Sequence, residues 1–212
     1  MIAGIAMATV GCKNDKDTKS DAALEVAVAN NEAVEFVIDT TSSVIDWKGE
    51  KPTGIHTGTI KLSEGIFKAN DSIVESGTFV IDMTSINVTD QTGEDKIKLE
   101  KHLMGTAEGQ EGDFFNVNKY PEATFEVTGV TTIDGKTMLQ GNLTMKEETK
   151  NVEFPVTISM NGDTLELTSA TFMIDRTKWG VNYGSKSVFD SLGDKFINDN
   201  IELTINLVAY KV

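Results

Sequence analysis

Cysteine, histidine and arginine are scarce in this chain of 212 residues. Cys12 is the single cysteine, so no disulfide forms within the chain and no metal site is built from several thiolates. The two histidines, His56 and His102, are far apart in the sequence, which argues against zinc chemistry. The residue types present therefore lead us to expect no metal and no cofactor.

Long apolar runs and excess positive charge are also missing. No segment approaches the roughly 20 apolar residues that a membrane-spanning helix needs. The net charge of -14 disfavours binding to phosphate backbones and to anionic lipid head groups. Nucleic acid is thus not an expected partner, and the length suits one domain with a short appendage.

The N-terminal residues 1–12, MIAGIAMATVGC, are apolar and small, and polar sequence begins abruptly at Lys13. They resemble the end of a secretory signal with a lipobox, in which Cys12 is lipidated and becomes the mature N-terminus. Two features depart from that pattern: no basic residue precedes the apolar run, and Thr9 stands where leucine is usual. An ordinary cleaved signal and a buried N-terminal strand of a cytosolic protein are the alternatives.

Residues 13–33 read as a solvated tether, because they mix charges and contain no aromatic residue. Nothing in this segment needs to fold, although residues 22–29 could form a frayed helix. The folded domain is then expected to span residues 34–212.

From Val34 onward apolar residues alternate with polar ones, which is typical of half-buried strands. Asn161-Gly162 predicts a two-residue type I′ hairpin. Inward positions change from odd to even near Ser169, which predicts a β-bulge there. Short helical segments are expected over residues 93–104 and 187–196.

Many closely spaced strands indicate an all-β fold, and the long hairpin ladder favours an antiparallel closed barrel of about eight strands.

Six phrases in order carry a family resemblance: WKGEKPTGIHTGTIKLSEG (47–65), GTFVIDMTSI (77–86), HLMG (from 102), DFFNVNKYPEATFEV (113–127), GNLTMKEETKNVEFPV (141–156) and IDRTKWGVNYGS (174–185). Together they resemble the YceI-like family of bacterial lipid- or polyisoprenoid-binding proteins. The resemblance covers about residues 34–212. One departure is the Gly/Glu-rich insertion of residues 104–112, which would alter the ligand portal if it helps to form it.

The resemblance implies a lipocalin-like barrel that holds a long amphiphilic chain, such as a polyisoprenoid quinone. It also implies residence in the periplasm or cell envelope, anchored to the membrane through Cys12 if the lipobox reading holds, and a possible homodimer. The expected function is to bind and to carry or store such a lipid. The alternative is a structural or stress-related envelope lipoprotein with a filled barrel.

Apolar residues on one face of the predicted strands are the candidate cavity lining: Phe36, Ile38, Trp47, Phe79, Ile81, Met83, Phe125, Leu143, Phe154, Phe172 and Ile174. Alternation alone does not distinguish a hollow barrel from a filled one. Arg176 shares the face of Ile174 and is a candidate anchor for a polar head group. Its structural alternative is an ion pair, or stacking on Trp179 or Tyr183.

Two histidines and a pair of phenylalanines are further candidate functional residues. His56 is expected to be a hydrogen-bonded loop residue, and His102 to cap carbonyls at the end of the first helix. Phe114-Phe115 is expected to form either a lid or a plug. No nucleophile elbow, phosphate-binding glycine loop or HExxH motif occurs, so catalysis is not predicted.

Overall fold

A computed structural model describes residue 18, residues 20–70 and residues 73–212. Cys12 and the rest of the predicted signal region lie outside the described residues. The strands are β1 (Asp21–Ala22), β2 (Val34–Ile38), β3 (Val44–Lys51), β4 (Gly54–Asn70), β5 (Ile73–Val88), β6 (Glu122–Ile133), β7 (Lys136–Met145), β8 (Glu148–Asn161), β9 (Thr164–Ser169), β10 (Phe172–Asp175) and β11 (Asn200–Lys211). The helix α1 spans Gly93–Met104.

The strands form a closed antiparallel ring of eight positions, as predicted. β4 to β8 pair in sequence order, and β9 joins β8 to β11. β2 and β3 share one position because both pair with β4 and with β11, and β9 and β10 share another along β11. Closure leaves no long exposed edge, which is how small barrels avoid pairing with other chains.

The predicted bulge lies between β9 and β10. Thr168 pairs with Asn206 of β11, whereas Phe172 pairs with Leu203, so one extra residue sits on the β9–β10 side. The backbone N–H of Ile205 donates to the Ser169 hydroxyl oxygen over 2.8 Å and so satisfies the interrupted ladder. The extra residue returns Phe172 to the inner face, as the change of phase in the sequence requires.

The turn and helix predictions need smaller corrections. Asn161 pairs with Thr164, so the hairpin loop is Gly162-Asp163, and positive φ occurs at Gly162 but not at Asp163, as in a type II′ turn. The predicted helix at 93–104 matches α1. The second predicted helix is reduced to a 3-10 turn at Gly193–Lys195, and another 3-10 turn spans Arg176–Trp179. Within the described residues no helix is long and apolar enough to cross a membrane.

Residue 18 and residues 20–33 are the described part of the predicted tether. They are bonded to the barrel and contain no helix at 22–29, which differs from the prediction. β1 pairs with Lys150 and Asn151 of β8. This part of β8 has no pairing with β9, which pairs with β8 only from Val156 onward.

Thr18 bridges β8 and β10, because its N–H donates to the Met173 carbonyl and its hydroxyl to the Glu153 carbonyl. Backbone hydrogen bonds hold this segment while Leu24, Val26 and Val28 stay exposed, so a pattern of buried apolar side chains gave no sign of it.

Two outward-facing asparagines secure this segment. Asn142 is only 4% exposed; its side-chain oxygen accepts from the Leu24 N–H at 3.0 Å, and its amide donates to the Leu24 carbonyl at 2.7 Å. Asn151 donates to the same Asn142 oxygen and to the Thr128 hydroxyl. The Asn142 amide therefore replaces a strand partner for Leu24.

Replacing Asn142 by Ala is expected to lower the free energy of unfolding by about 1–3 kcal/mol, since two hydrogen bonds to the Leu24 backbone are lost and the buried Asn151 amide loses one of its acceptors. Urea denaturation measures this loss, and hydrogen exchange should show that the Leu24 amide loses protection. Gln140→Ala, on the outer face of the same strand, is the control and should cost less. Full protection of Leu24 in Asn142→Ala would contradict the assignment.

Candidate functional site

The barrel encloses a cavity of about 410 Å³, within the range of roughly 300–1,000 Å³ that is typical of small-molecule sites. It opens at the end that carries α1, the β3–β4 turn and the segment 176–199. Several inward-facing residues, such as Ile60, Ile81 and Leu203, keep partial exposure although their strands are paired on both sides. This pattern shows that the interior is hollow near the open end.

Most of the predicted lining residues lie on the cavity wall: Trp47, Phe79, Ile81, Met83, Phe125, Leu143, Phe154, Phe172 and Ile174. Phe36 and Ile38 do not, and for these two the predicted position is corrected. They are buried at the other end of the barrel, where β2 pairs with the last residues of β4. That end is filled with side chains, among them Ala69, Val74, Val127 and Leu165.

The sequence reasoning did not assign several wall residues. β11 contributes alternate residues, and β4, α1 and the other strands contribute more: Ile201, Leu203, Ile205, Leu207, Ile60, Leu62, Phe67, Leu99, Leu103, Ile45, Ile86, Ala123, Leu139, Met145, Val152 and Leu167. The strict alternation of apolar and polar residues over 201–207 could have identified the β11 wall residues, because it places four branched side chains on one face of the strand.

Five phenylalanines form a belt around the inside of the barrel. Ring centres are separated by 4.6 Å for Phe67 and Phe79, 6.3 Å for Phe79 and Phe125, and 5.8 Å for Phe125 and Phe154. Phe154 stacks on Phe172 at 4.2 Å and 5°, beneath the seam between β8 and β10. The belt is an apolar, weakly directional surface suited to a hydrocarbon chain.

Two glycines allow aromatic rings to lie flat against the wall. A Cβ atom at Gly58 would stand 2.4 Å from Cζ2 of Trp47, and one at Gly141 would stand 2.1 Å from Cζ of Phe125. Any side chain at these positions would push the rings into the cavity. The glycines thus set the width of the cavity at these two rings.

The helix α1 partly covers the open end with Leu99 and Leu103. Glu100 ties it to β5 by accepting from the Val88 N–H at 2.9 Å. Ile97 of the same helix is 51% exposed. None of the residues 105–112, all described, lines the cavity itself. Ala107 and Gln110 of the insertion instead line a shallow surface pocket with the rim residues His56, Leu99 and His102.

Each histidine is paired with a carboxylate near an end of α1. His56, which lies in β4 rather than in a loop, has Nδ1 2.9 Å from Oδ2 of Asp90. Nε2 of His102 lies 2.7 Å from Oδ2 of Asp113. The prediction that His102 caps helix carbonyls is therefore wrong, because its ring contacts a carboxylate side chain. Among the described residues no group of His, Cys, Asp and Glu is arranged to hold a metal ion. These pairs hold α1 in place.

The Asp90 pair predicts a pH effect. Burial would raise the pKa of Asp90, but hydrogen bonds from the Thr57 N–H and from His56 hold it below its ordinary value. This stabilisation is therefore present above pH about 4 and is lost as the pH falls through the lowered pKa. When the pH is lowered from 7 to 3, the unfolding free energy of Asp90→Asn should therefore fall by a smaller amount than that of the wild type. The difference should be below about 1 kcal/mol, because the carboxylate is partly exposed. Identical pH profiles would contradict this.

Phe114 and Phe115 both line the cavity mouth, and Phe114 packs against the rings of His102 and Tyr183 at 5.1 and 5.3 Å. Lys146 holds this segment by donating to the Phe114 carbonyl at 2.6 Å and to the Gly180 carbonyl at 3.3 Å. Burial lowers the pKa of Lys146. Lys146 and Glu147 have φ values of 48° and 70°, which non-glycine residues rarely adopt, so the tight β7–β8 turn is strained where it supports Phe114.

Arg176 lines the cavity but is chiefly held by the protein itself. It is 2% exposed; its Nε, Nη1 and Nη2 donate to the carbonyls of Asn198, Val181 and Ile197 at 3.1, 2.6 and 3.2 Å. Nη2 lies 3.9 Å from Oδ1 of Asp199. Burial lowers the pKa of Arg176, and the nearby Asp199 opposes that effect. The structural interpretation of Arg176 predicted an ion pair, and the pair with Asp199 is present.

The chain is similar in sequence to bacterial proteins of the UPF0312 group. A UPF0312 protein of Pseudomonas putida strain GB-1 is 31% identical over 135 residues, which is 61% of this chain and 65% of that protein. The chain thus matches less than two thirds of that relative's length.

Solved structures show the same fold. BcnA of Burkholderia cenocepacia has a TM-score of 0.62 at 22% identity and covers 81% of this chain and 98% of its own. A polyisoprenoid binding domain from Saccharophagus degradans, implicated in plant cell wall breakdown, has a TM-score of 0.57 at 12% identity, covering 84% and 99%. The YceI-like domain family matches residues 36–209. The chain belongs to the YceI-like family.

Proposed function

We propose that this protein binds a long-chain isoprenoid, quinone-like or related amphiphilic lipid in the barrel cavity and carries or stores it in the bacterial envelope. The single observation that supports this most is the apolar cavity of about 410 Å³, open at one end and lined by aliphatic and aromatic side chains. The solved relative that is described as a polyisoprenoid binding domain has the same fold.

The driving force is removal of an insoluble chain from water. Each buried methylene contributes roughly 0.8 kcal/mol, so one isoprene unit supplies a few kcal/mol before the costs of association are met. A few enclosed units then suffice for useful affinity. Such binding needs little polar chemistry, in agreement with the apolar composition of the wall below the mouth.

Anchoring and assembly complete the proposal. Lipidation of Cys12 would tether the barrel to an envelope membrane, and residues 20–33 follow the barrel surface. Fatty-acid labelling in the native host, with Cys12→Ser as the control, tests the anchor. A homodimer is a further proposal, tested by light scattering of the purified chain.

Lipid extraction and mass spectrometry of the purified protein test the binding function. We expect a co-purifying isoprenoid or long-chain lipid at a substantial fraction of one per chain, or saturable binding of an added prenyl quinone. If no lipid co-purifies and neither added quinones nor added polyprenols bind, the carrier function is wrong and the filled, structural alternative gains support.

A further inference from the structure

Two lysine side chains at the cavity mouth have no protein partner. Lys51, at the end of β3, and Lys195, in the 3-10 turn near the mouth, both line the cavity. Neither ammonium group forms a hydrogen bond or an ion pair with any of the described residues. Because both side chains are exposed, water solvates them in the free protein and they remain available to a ligand.

The other charged groups of the cavity lining are engaged with protein groups. Glu50 is the single carboxylate of the lining among the described residues, and it pairs with Lys48. The nitrogens of Arg176 donate to backbone carbonyls beside Asp199, and both histidines contact a carboxylate. The mouth therefore has a surplus of positive charge, although the whole chain carries a net charge of -14.

The backbone places the two lysines on neighbouring segments of the mouth. The Asn198 N–H donates to the Glu50 carbonyl at 2.8 Å, which joins the end of β3 to the residues just after Lys195. Nε of Arg176 donates to the carbonyl of the same Asn198 at 3.1 Å. Since Lys51 directly follows Glu50, both flexible ammonium groups extend from fixed backbone on the same side of the opening.

The chemistry of these groups defines the ligand group that they match. An ammonium has three donors and no acceptor, so its partner is an acceptor, and an ionised acceptor forms the stronger hydrogen bond. A head group at the exposed mouth keeps contact with water, so it avoids the desolvation cost that a charge inside the cavity would bear. The tail of the same molecule would lie on the apolar wall below.

We infer that Lys51 and Lys195 form a head-group subsite that binds the anionic head, a carboxylate or a phosphate, of a single-chain lipid whose tail enters the cavity. This inference rests on the proposed lipid-binding function and adds the charge of the head group to it. The net charge of the chain led us to expect poor binding of anionic head groups, and the mouth is a local exception to that expectation.

Three ligands with the same tail test the inference: dodecanoate, dodecyl phosphate and the neutral dodecanol. At about pH 8 both acids are ionised. Exposed charge pairs are weak, so Lys51→Gln and Lys195→Gln should each reduce the affinity for an anion about twofold to fivefold, and the double variant about fivefold to twentyfold. All variants should bind dodecanol as the wild type does. Isothermal titration calorimetry measures the affinities.

Two control proteins separate local charge from other effects. Lys136 is exposed at the β6–β7 turn and does not line the cavity, so Lys136→Gln changes the net charge equally and should leave the affinity for the anions unchanged. Lys51→Arg combined with Lys195→Arg keeps both charges and should retain most of that affinity. Thermal unfolding checks that every variant is folded.

The outcomes distinguish the subsite from the lipid-binding function. A loss of affinity confined to one or both anions supports the subsite and identifies the head group. Unchanged affinity for both anions in the double Gln variant, or an equal loss for dodecanol, overturns the subsite and leaves lipid binding intact. An equal loss in Lys136→Gln also overturns it, because net charge then explains the effect. If the wild type binds none of the three compounds, both proposals are wrong.

Discussion

Replacing Ile81 by Trp is expected to abolish binding of a hydrocarbon chain, with at least a tenfold loss of affinity, while the protein stays folded. Ile81 faces the cavity between Leu62 of β4 and Ala123 of β6. The small Ala123 leaves room beside it, so an indole ring can enter the empty space that a ligand would use. Filling existing space should change the free energy of unfolding by no more than about 1 kcal/mol, because overpacking strain arises only in a filled core.

A matched variant in the filled end of the barrel provides the control. Val74 is 2% exposed and does not line the cavity, so Val74→Phe should destabilise the protein by about 1–3 kcal/mol and leave binding by the folded protein unchanged. Thermal unfolding and lipid titration of both variants measure the two effects. Unaltered binding by Ile81→Trp would show that the cavity is not the ligand site.

Alternation in the sequence was enough to predict the closed barrel and most of the wall. The period of two identifies which side chains share a face, and Phe79, Phe125 and Phe172 were assigned correctly to the inner one. It does not report how far along the barrel a residue lies. Phe36 and Ile38 satisfy the same pattern, but both are buried in the packed core and neither lines the cavity.

Hydrogen bonds between distant polar groups were beyond what the sequence pattern conveys. Asn142 and Leu24 are 118 residues apart, and no property of either residue alone indicates their pairing.

Arg176 was open to two interpretations in the sequence, and replacing it decides between them. Its three backbone acceptors lie at both ends of the segment 181–198, which covers the cavity mouth with Tyr183, Lys195 and Ile197. Arg176→Met leaves these three carbonyls without their donor and Asp199 without the positive charge 3.9 Å away, so we expect a loss of about 3–5 kcal/mol of unfolding free energy. Arg176→Lys should recover only part of it, because one ammonium group does not reach three carbonyls in a planar fork.

Lys178→Met is the control for charge in the same 3-10 turn. Lys178 is exposed and pairs with Asp175 at 3.6 Å, and surface pairs of this kind contribute little. Urea denaturation and lipid titration of the three variants separate the roles of Arg176. If Arg176→Lys unfolds like the wild type but binds an amphiphile weakly, Arg176 is a head-group anchor. We expect the reverse order, with stability falling first and binding lost only as the mouth segment 181–198 loosens.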